Sequence, residues 1–461
     1  MTRQRQRHPI DIDIRHDRRH SVITATTAIS VTVIGGGAAG LAAAWFAAEE
    51  GAEVTVLERT KETGTKILMS GGSRCNVLPA EVELERDFFT EANPSQLRAM
   101  FRRFSLDECY WWLCDEAQVG LELALEEESN KYFPVSNSSR EVRDRLVAGC
   151  MRRGVNFRYH SSVTELARTD DGCWACHLED GHQVHSQRVV VATGGLSFPG
   201  VGTDGTGHRI LQKCGHSLHP TYPALTPLTG PHPGGQQLAG VSMNIALQCS
   251  PGAEAEGASE PRGKASKRRR KKARKAQRTG MVFTHKGYSG PSVLDLSHHA
   301  VKALERRSAR PQLHLDWTGE GQDVWRQRLE AKGKGLVATR LKRHLPARLV
   351  DALMHEAGLE DRNMSELRKG ERLQLLEMLS RYELPYTGHQ GYKKAEVTGG
   401  GVPLDEINIS TMESRVLPGV YLCGEVCDVF GRIGGFNFYW AWVSGRLAGL
   451  GVAAPSIQHD A

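Results

Sequence analysis

The chain has 461 residues, of which 39% are hydrophobic and 24% are charged. This composition is typical of a globular protein and excludes both a wholly disordered chain and a membrane-embedded one. The length exceeds what one compact core holds, so we expect two or three folded units.

The net charge of +6 is concentrated in two segments of the chain. Residues 254–278 hold 11 Lys or Arg against 3 Glu, and the first twenty residues carry a further excess of Arg. Because the surrounding low-complexity segment, residues 251–280, has little apolar surface to bury, we predict that it is disordered. Its basic centre, residues 264–278, is suited to non-specific contact with RNA phosphates or to remaining a solvated loop.

Residues 1–28 form a basic tail that we also predict to be disordered. Arg18 and Arg19 precede an uncharged stretch, as they would in a twin-arginine export signal. Polar residues interrupt that stretch and no small-residue cleavage site follows it, so the pattern does not fit a signal peptide. The 10 cysteines are scattered in the manner of reduced thiols. We therefore expect a cytoplasmic protein that does not associate with a membrane.

The first folded segment is predicted to run strand, tight turn, helix and strand, starting at Ile29. The turn carries Gly35-x-Gly37-x-x-Gly40, and Glu58 ends the second strand. In this motif the glycines allow a tight turn, close approach of the backbone to a pyrophosphate and packing of helix on strand, while the acid binds a ribose. The pattern predicts a dinucleotide site and does not by itself distinguish NAD from FAD.

The next segments complete a first domain over residues 29–216. The region Ser95–Gln118 is predicted to be helical, with Leu97, Phe101 and Phe104 spaced to share one face. Residues Val155–Val191 alternate in the manner of three short strands, with turns at TDDG and LEDG, and end in a fully apolar strand. A second Gly-x-Gly-x-x-Gly match at Gly200–Gly205 follows a proline and lacks a downstream acid. We interpret that second match as a loop.

A different organisation over residues 217–394 predicts an inserted domain. Pro-rich and Gly-rich loops alternate there with isolated strand patterns, VSMNIALQC, MVFT and QLHLDW. Helical patterns follow between Gln322 and Tyr382. These shifts in composition favour a second folded unit of mixed strands and helices.

Residues 395–452 return to the first pattern and favour a flavin. The strand GVYLCGE ends beside Glu425, and Gly434 and Gly435 precede a helix. Glu425 can bond a ribityl chain, and the N–H groups that start the helix can face the pyrimidine edge of the ring. Ala441, Gly445 and Gly449 give this helix a face of small residues for close packing.

The chain resembles the BaiN-like flavoproteins, also called aminoacetone-oxidase-like FAD enzymes. The resemblance spans Ile29 to Leu450 and is carried by the fingerprint, KILMSGGSRCNV, the ATGG strand, YPALTPL, FTHKGYSGPSVL and AEVTGGGVPLDEI. It implies an α/β fold with a Rossmann-like, glutathione-reductase-like FAD-binding domain in two parts. An inserted mixed β/α domain interrupts these two parts. The Arg-rich tail and the basic insertion after Pro251 depart from the family pattern.

Carried onto this sequence, the resemblance implies FAD contacts from both ends of the chain. These residues are Gly35, Gly37, Ala39, Gly40, Glu58, Arg59, Lys66, Gly72, Asn76, Val163, Thr193, Gly194, Gly424, Glu425, Gly434, Gly435 and Asn437.

The resemblance further implies that NADH or NADPH reduces the FAD, which then reduces an electron-poor C=C bond. The substrate would be an unsaturated ring ketone or a uracil ring in ribosomal RNA. Two alternatives stay open: a flavin amine oxidase, and an RNA-tethered FAD-binding protein without catalysis. His285, in FTHKGYSGP, is our candidate proton donor, because His transfers protons near neutral pH. A structural role for His285 is equally consistent with the sequence, and no pattern predicts a metal site.

Two cysteine motifs invite redox interpretations that their surroundings argue against. The string Cys173-Trp174-Ala175-Cys176-His177 matches a haem attachment site, but it lies in an alternating strand pattern that points the two sulfurs to opposite faces. Cys75 resembles half of a flavin disulfide pair, yet Ala80 stands where the second sulfur would be needed. We expect a packing role for Cys75.

Overall fold

The computed structural model describes residues 28–250, 279–330 and 334–455. The strands, in chain order, are β1 Ser30–Ile34, β2 Glu53–Leu57, β3 Leu78–Pro79, β4 Phe88–Phe89, β5 Leu123–Glu126, β6 Lys131–Pro134, β7 Asn156–Arg158, β8 Val163–Arg168, β9 Trp174–Leu178, β10 Gln183–Ser186, β11 Arg188–Val191, β12 His219–Ala224, β13 Leu228–Thr229, β14 Ser242–Ser250, β15 Thr279–Thr284, β16 Gly287–Ser289, β17 Gln312–Asp316, β18 Tyr382–Glu383, β19 Gly388–His389, β20 Val397–Gly401, β21 Val420–Leu422 and β22 Phe430–Gly431.

The α-helices are α1 Ala38–Glu49, α2 Thr65–Met69, α3 Leu84–Asp87, α4 Pro94–Phe101, α5 Leu106–Cys114, α6 Ser139–Arg152, α7 Thr206–Lys213, α8 Pro291–Arg306, α9 Gln322–Arg328, α10 Val337–Leu341, α11 Ala347–Glu356, α12 Lys369–Ser380 and α13 Phe436–Ala453. All but the last residue of the predicted disordered tail, and nearly all of the basic segment, lie outside the described residues. Thr279 and Gly280, which we assigned to that segment, instead begin β15.

A five-stranded sheet in the order β21-β11-β1-β2-β7 forms the centre of the first domain. Every neighbouring pair in it is parallel. β1 is rich in β-branched residues, and Val31 and Val33 are completely buried, as expected of a strand covered on both faces. This topology confirms the predicted α/β, Rossmann-like fold.

Helices α1 and α13 pack against each other through small residues. A Cβ built on Gly445 would lie 2.6 Å from the backbone oxygen of Ala39, and one built on Gly449 would lie 2.6 Å from that of Ala43. Both glycines are therefore needed for the two helices to approach so closely. The predicted small-residue face of the C-terminal helix is confirmed.

The region predicted to be helical, Ser95–Gln118, contains two helices, α4 and α5, with a break between them that the apolar spacing did not indicate. Ser105 caps α5: its hydroxyl accepts from the Glu108 N–H at 3.3 Å, and the Glu108 carboxylate accepts from the Ser105 N–H at 2.7 Å. This reciprocal capping box starts a new helix at Leu106. Phe104, inside the break, remains buried in the core as expected.

The region predicted to hold three short strands, Val155–Val191, contains five, β7 to β11, and the predicted apolar strand at its end is β11. β8, β9 and β10 form an antiparallel meander. Turns at TDDG and LEDG close it, with Gly172 N–H bonding the Thr169 carbonyl at 2.9 Å and Gly181 N–H bonding that of Leu178 at 3.0 Å. This meander leaves the parallel sheet and returns to it through β11.

A second hydrophobic core lies in the inserted segment, separate from the core around the parallel sheet. It is built on a seven-stranded sheet in the order β18-β17-β14-β15-β16-β13-β19. The three strand patterns predicted there are confirmed as β14, β15 and β17. The second core spans Tyr222 to Val397 and includes Phe430, whereas the first resumes at Val402.

The two cores are joined by strands and by a partly buried arginine, Arg432. β12 of the insertion pairs antiparallel with β20, which leads back to the first domain. The Arg432 guanidinium lies 3.1 Å from the carboxylates of both Asp87, in the first domain, and Asp295, on α8 of the insertion. Across the described ranges, no helix has the length and apolar character needed to cross a membrane.

Candidate functional site

The parallel sheet places several functional segments at one edge. β1, β2, β11 and β21 point in the same direction, so the residues that follow their carboxyl ends meet there. Open α/β sheets bind their ligands at this edge. A cavity of about 400 Å³ lies there and is lined from both ends of the chain and from the insertion.

The three fingerprint glycines have different physical roles. A Cβ on Gly35 would lie 2.6 Å from the Ala192 backbone oxygen, and one on Gly40 would lie 1.9 Å from that of Gly35. A Cβ on Gly37 would meet no protein atom within 4 Å. Gly35 and Gly40 are therefore required by packing within the protein, whereas Gly37 leaves space on the cavity side for a ligand. α1 begins just after it with no side-chain cap, so its N–H groups can bind phosphate.

Glu58 is held rigidly at the end of β2. One carboxylate oxygen accepts from the Gly36 N–H at 3.0 Å, and the other accepts from the Thr60 N–H at 2.8 Å and the Thr60 hydroxyl at 2.9 Å. Glu58 lines the cavity and is only 9% exposed. Carboxylate oxygens keep further lone pairs, so Glu58 can also accept hydrogen bonds from ribose hydroxyls.

Arg59 forms a second fixed group next to Glu58. Its guanidinium lies 2.9 Å from the Asp204 carboxylate and donates to the Gly202 carbonyl at 3.2 Å. Partial burial opposes ionisation of Asp204, but hydrogen bonds from Thr206 and Arg59 outweigh it and lower its pKa to about 2. Gly202 and Asp204 come from the second glycine match, which is a loop as predicted. The sequence did not predict that this loop lines the cavity. The glycine match follows no strand, so it lacks the context of a nucleotide-binding motif.

Lys66 and Glu425 bring the two ends of the chain together. The Lys66 ammonium lies 2.7 Å from one Glu425 carboxylate oxygen, and the other accepts from the Thr398 N–H at 2.9 Å. Both side chains line the cavity. This pair gives the cavity a cation suited to phosphate and an anion suited to ribityl hydroxyls.

Helix α13 fixes the backbone beside Glu425. The Gly424 N–H donates to the Ser444 hydroxyl at 3.0 Å, and the Gly424 carbonyl accepts from the Trp440 indole at 3.0 Å. Gly435, at φ 88°, starts the helix without a side-chain cap, and a Cβ there would lie 2.6 Å from the Leu78 backbone carbon. The positive end of this helix therefore faces the cavity, as that of α1 does, although the two helices come from opposite ends of the sequence.

The loop before α13 is closed by Asn437. Its side-chain oxygen accepts from the Gly431 N–H at 2.8 Å, and its side-chain nitrogen donates to the Gly431 carbonyl at 2.9 Å. The amide is thus used within the chain, so Asn437 contributes by holding the loop that carries Gly434. Gly434 has φ 125°, and a Cβ there would lie 2.7 Å from the Lys131 side chain.

The segment after Lys66 has an unusual backbone. Gly71, Gly72, Ser73 and Cys75 have φ values of 54°, 65°, 69° and 60°. Left-handed residues other than glycine are strained and cluster at functional sites. Cys75 itself is fully buried, does not line the cavity, and burial raises its pKa to about 12. This placement favours a packing role for Cys75.

The residues implied as FAD contacts converge on this cavity, with one exception. Gly40 does not line it and packs against Gly35 instead. The lining includes Gly35, Gly37, Ala39, Glu58, Arg59, Lys66, Gly72, Asn76, Val163, Thr193, Gly194, Gly424, Glu425, Gly434, Gly435 and Asn437.

His285 is not brought to the cavity. It lies in the exposed turn between β15 and β16 and is absent from the lining. The structure therefore does not place our candidate proton donor at the cavity, because the tip of this hairpin lies on the surface. The cavity wall instead contains a titratable group that we had not singled out, Glu396, at the start of β20. Ser161 and Ser162, before β8, and Phe198 were also missed.

The residues present fit FAD. Two uncapped helix N-termini, a buried ribose-type acid, a Lys–Glu pair and the space beside Gly37 together match the phosphates, hydroxyls and ring of this cofactor. Within the described residues, no group of His, Cys, Asp and Glu side chains could hold a metal ion.

Comparison with known proteins assigns the family. Residues 29–451 match the family described as HI0933-like protein Rossmann domain. The ribosomal RNA dihydrouridine synthase of Escherichia coli is 31% identical over 89% of this chain and 95% of its own length, and that of Haemophilus influenzae is 28% identical over 91% and 98%. The 3-dehydro-bile acid delta(4,6)-reductase of Clostridium scindens is 27% identical over 92% and 98%. The chain therefore belongs to the HI0933-like Rossmann-domain family and is an FAD-dependent oxidoreductase of the BaiN-like group.

Proposed function

We propose that this enzyme uses NADH or NADPH to reduce an electron-poor C=C bond, and that a uracil ring in ribosomal RNA is its substrate. An unsaturated ring ketone is the second substrate class. Two relatives are RNA dihydrouridine synthases, and dihydrouridine is uridine with one ring C=C bond reduced. A third relative is a reductase of bile acids. Both substrate classes share a C=C bond conjugated to a carbonyl group.

The observation that carries this proposal is the single cavity lined from both ends of the chain and from the insertion. When bound there, FAD supplies two-electron hydride transfer. Glu58 would accept hydrogen bonds from the ribose, and the N-terminus of α1 and Lys66 would bind the phosphates. The α13 N-terminus favours negative charge at the ring end. Apolar residues of the cavity wall would restrict water around the cofactor: Leu225, Val397, Val429 and Ile433.

The basic segment supports RNA as the substrate. Residues 264–278, outside the described residues, hold 10 Lys or Arg and no Asp or Glu, which is more than the net charge of +6 of the whole chain. We propose that they hold RNA non-specifically through its phosphates while a base enters the cavity. All 10 cysteines are free thiols, which is consistent with the cytoplasmic location in which ribosomal RNA is found.

The test starts from the purified protein. It should be yellow, release a compound with the mass of FAD, and bleach under anaerobic conditions with NADH or NADPH. The reduced protein should then be reoxidised by a ribosomal RNA fragment with formation of dihydrouridine, and in a separate sample by an unsaturated 3-ketosteroid. Bleaching by an amine, with reoxidation only by oxygen, would instead establish the oxidase alternative.

A further inference from the structure

Glu396 occupies a position in the cavity wall that the roles described so far do not explain. It lies where the chain leaves the inserted domain and enters β20, and its N–H donates to the Leu225 carbonyl at 3.1 Å. Its side chain lines the cavity and is exposed to it. The carboxyl thus comes from the segment that joins the insertion to β20.

The other carboxylates of the cavity are already held by the protein. Glu58 accepts from backbone and hydroxyl groups, Glu425 pairs with Lys66, and Asp204 pairs with Arg59. In the described part of the chain, no hydrogen bond or ion pair holds the Glu396 carboxyl. A carboxyl of this kind in a ligand cavity is free to interact with what binds there.

The surroundings of Glu396 favour its neutral form. Enclosure by the cavity walls, including Leu225 and Val397, raises the pKa of this carboxyl. The charge of Lys66 opposes the rise only in part. Lys66 is itself held at 2.7 Å by Glu425, so it remains nearby as a fixed cation. The raised pKa favours the protonated carboxyl, and the charge of Lys66 would stabilise the carboxylate left after loss of the proton.

We propose that Glu396 donates the proton that completes reduction of the substrate C=C bond, an inference that rests on the proposed function. Hydride adds to one carbon of the bond as the π bond breaks. The released electron pair, on the carbon beside the carbonyl group, takes the proton from Glu396, and a C–H bond forms as the O–H bond breaks. Glu396 becomes a carboxylate opposite Lys66 and regains a proton from solvent.

Replacement of Glu396 by Gln separates this role from cofactor binding. Glu396→Gln should keep its FAD and should be reduced by NAD(P)H within about threefold of the wild-type rate. Its reoxidation by the C=C substrate should be at least about 100-fold slower, the usual contribution of a general acid. Glu396→Asp should show an intermediate rate. Glu383→Gln, at an exposed glutamate of β18, is the matched control and should behave as wild type.

Two further measurements do not depend on turnover. Saturated product should bind oxidised Glu396→Gln as it binds wild type, when followed through the flavin absorbance. Infrared spectra of the FAD-loaded proteins at neutral pH should show a protonated carboxyl band in wild type that Glu396→Gln lacks.

Each outcome decides between the two proposals. Equal reoxidation rates in wild type and Glu396→Gln, loss of FAD from the variant, or identical infrared spectra would overturn the role of Glu396 alone. Failure of wild type to reduce any C=C acceptor would overturn the proposed function, and the proton transfer with it.

Discussion

At the scale of single residues, Gly37 and Gly40 separate ligand binding from folding. Gly37→Ala adds a methyl group to cavity space, so we expect FAD affinity to fall at least about tenfold with thermal stability of the apoprotein unchanged. Gly40→Ala forces a Cβ to 1.9 Å from a backbone oxygen and should destabilise the fold by about 1–3 kcal/mol. Flavin titration would measure the FAD affinity of both variants, and urea unfolding would measure their stability. If the two variants lost the same FAD affinity and the same stability, Gly37 and Gly40 would not have the different roles assigned to them.

Asp204 predicts a dependence of stability on pH. Its folded pKa of about 2 lies below its ordinary value of 3.8, so its ionised form stabilises the fold. That contribution is complete above the ordinary value and is lost as pH falls through the folded value. Asp204→Asn should therefore lower Tm near neutral pH, and the gap from wild type should close between about pH 4 and pH 2. If the difference in Tm between wild type and Asp204→Asn did not change with pH, the charge of the Asp204 carboxylate would not be the source of the stabilisation.

The exposed pair of Lys342 and Asp351 provides the control for that experiment. Its carboxylate side chain is 61% exposed. Asp351→Asn should change Tm little at every pH, because exposed ion pairs contribute little to stability.

At the scale of elements, the loop between β22 and α13 depends on Arg432. Arg432 is 18% exposed and joins the fully buried Asp87 to Asp295, and the Ile433 N–H donates to Asp295 at 2.8 Å. Arg432→Met leaves two buried carboxylates short of a partner, so we expect a loss of about 3 kcal/mol in urea unfolding. FAD affinity should fall as well, because the same loop carries Gly434.

Arg326→Met is the matched control for Arg432→Met. The Arg326–Asp323 pair lies on the surface, with side chains 59% and 88% exposed, and its loss should cost less than about 1 kcal/mol. A similar loss of stability in the two variants would contradict a special role for Arg432.

The elements also show which parts of this structure a sequence can predict. The β-α-β unit around Gly35 and the strands β14, β15 and β17 follow from local patterns of apolar residues and turns, and they were predicted correctly. The capping box of Ser105 and Glu108 is a local signal for the start of a new helix. It was overlooked because Phe101 and Phe104 have the spacing of one continuous helix. The placement of Glu396 and Asp204 in the cavity depends on contacts between segments distant in the chain, which no local pattern carries.

At the scale of the whole molecule, the chain order explains how the site is assembled. Glu58 and Lys66 lie near one end of the sequence, Glu425 near the other, and Glu396 where the insertion ends. The cavity is therefore complete only when both parts of the first domain and the insertion have packed together. In this arrangement most of the cavity wall comes from the two parts of the first domain, and the insertion adds Leu225.

The basic segment provides a separate prediction for the whole molecule. β14 and β15 pair with Ile245 opposite Thr279, so residues 251–278 connect two strands that are already held together by their own hydrogen bonds. A short Gly-Ser linker in place of residues 251–278 should therefore leave FAD content and reduction by NAD(P)H unchanged. Affinity for ribosomal RNA should fall and depend less steeply on salt, because fewer phosphates would be neutralised. Reduction of a small C=C acceptor should stay at the wild-type rate. Unchanged RNA affinity in this variant would assign RNA binding to the folded surface and contradict a role for the segment.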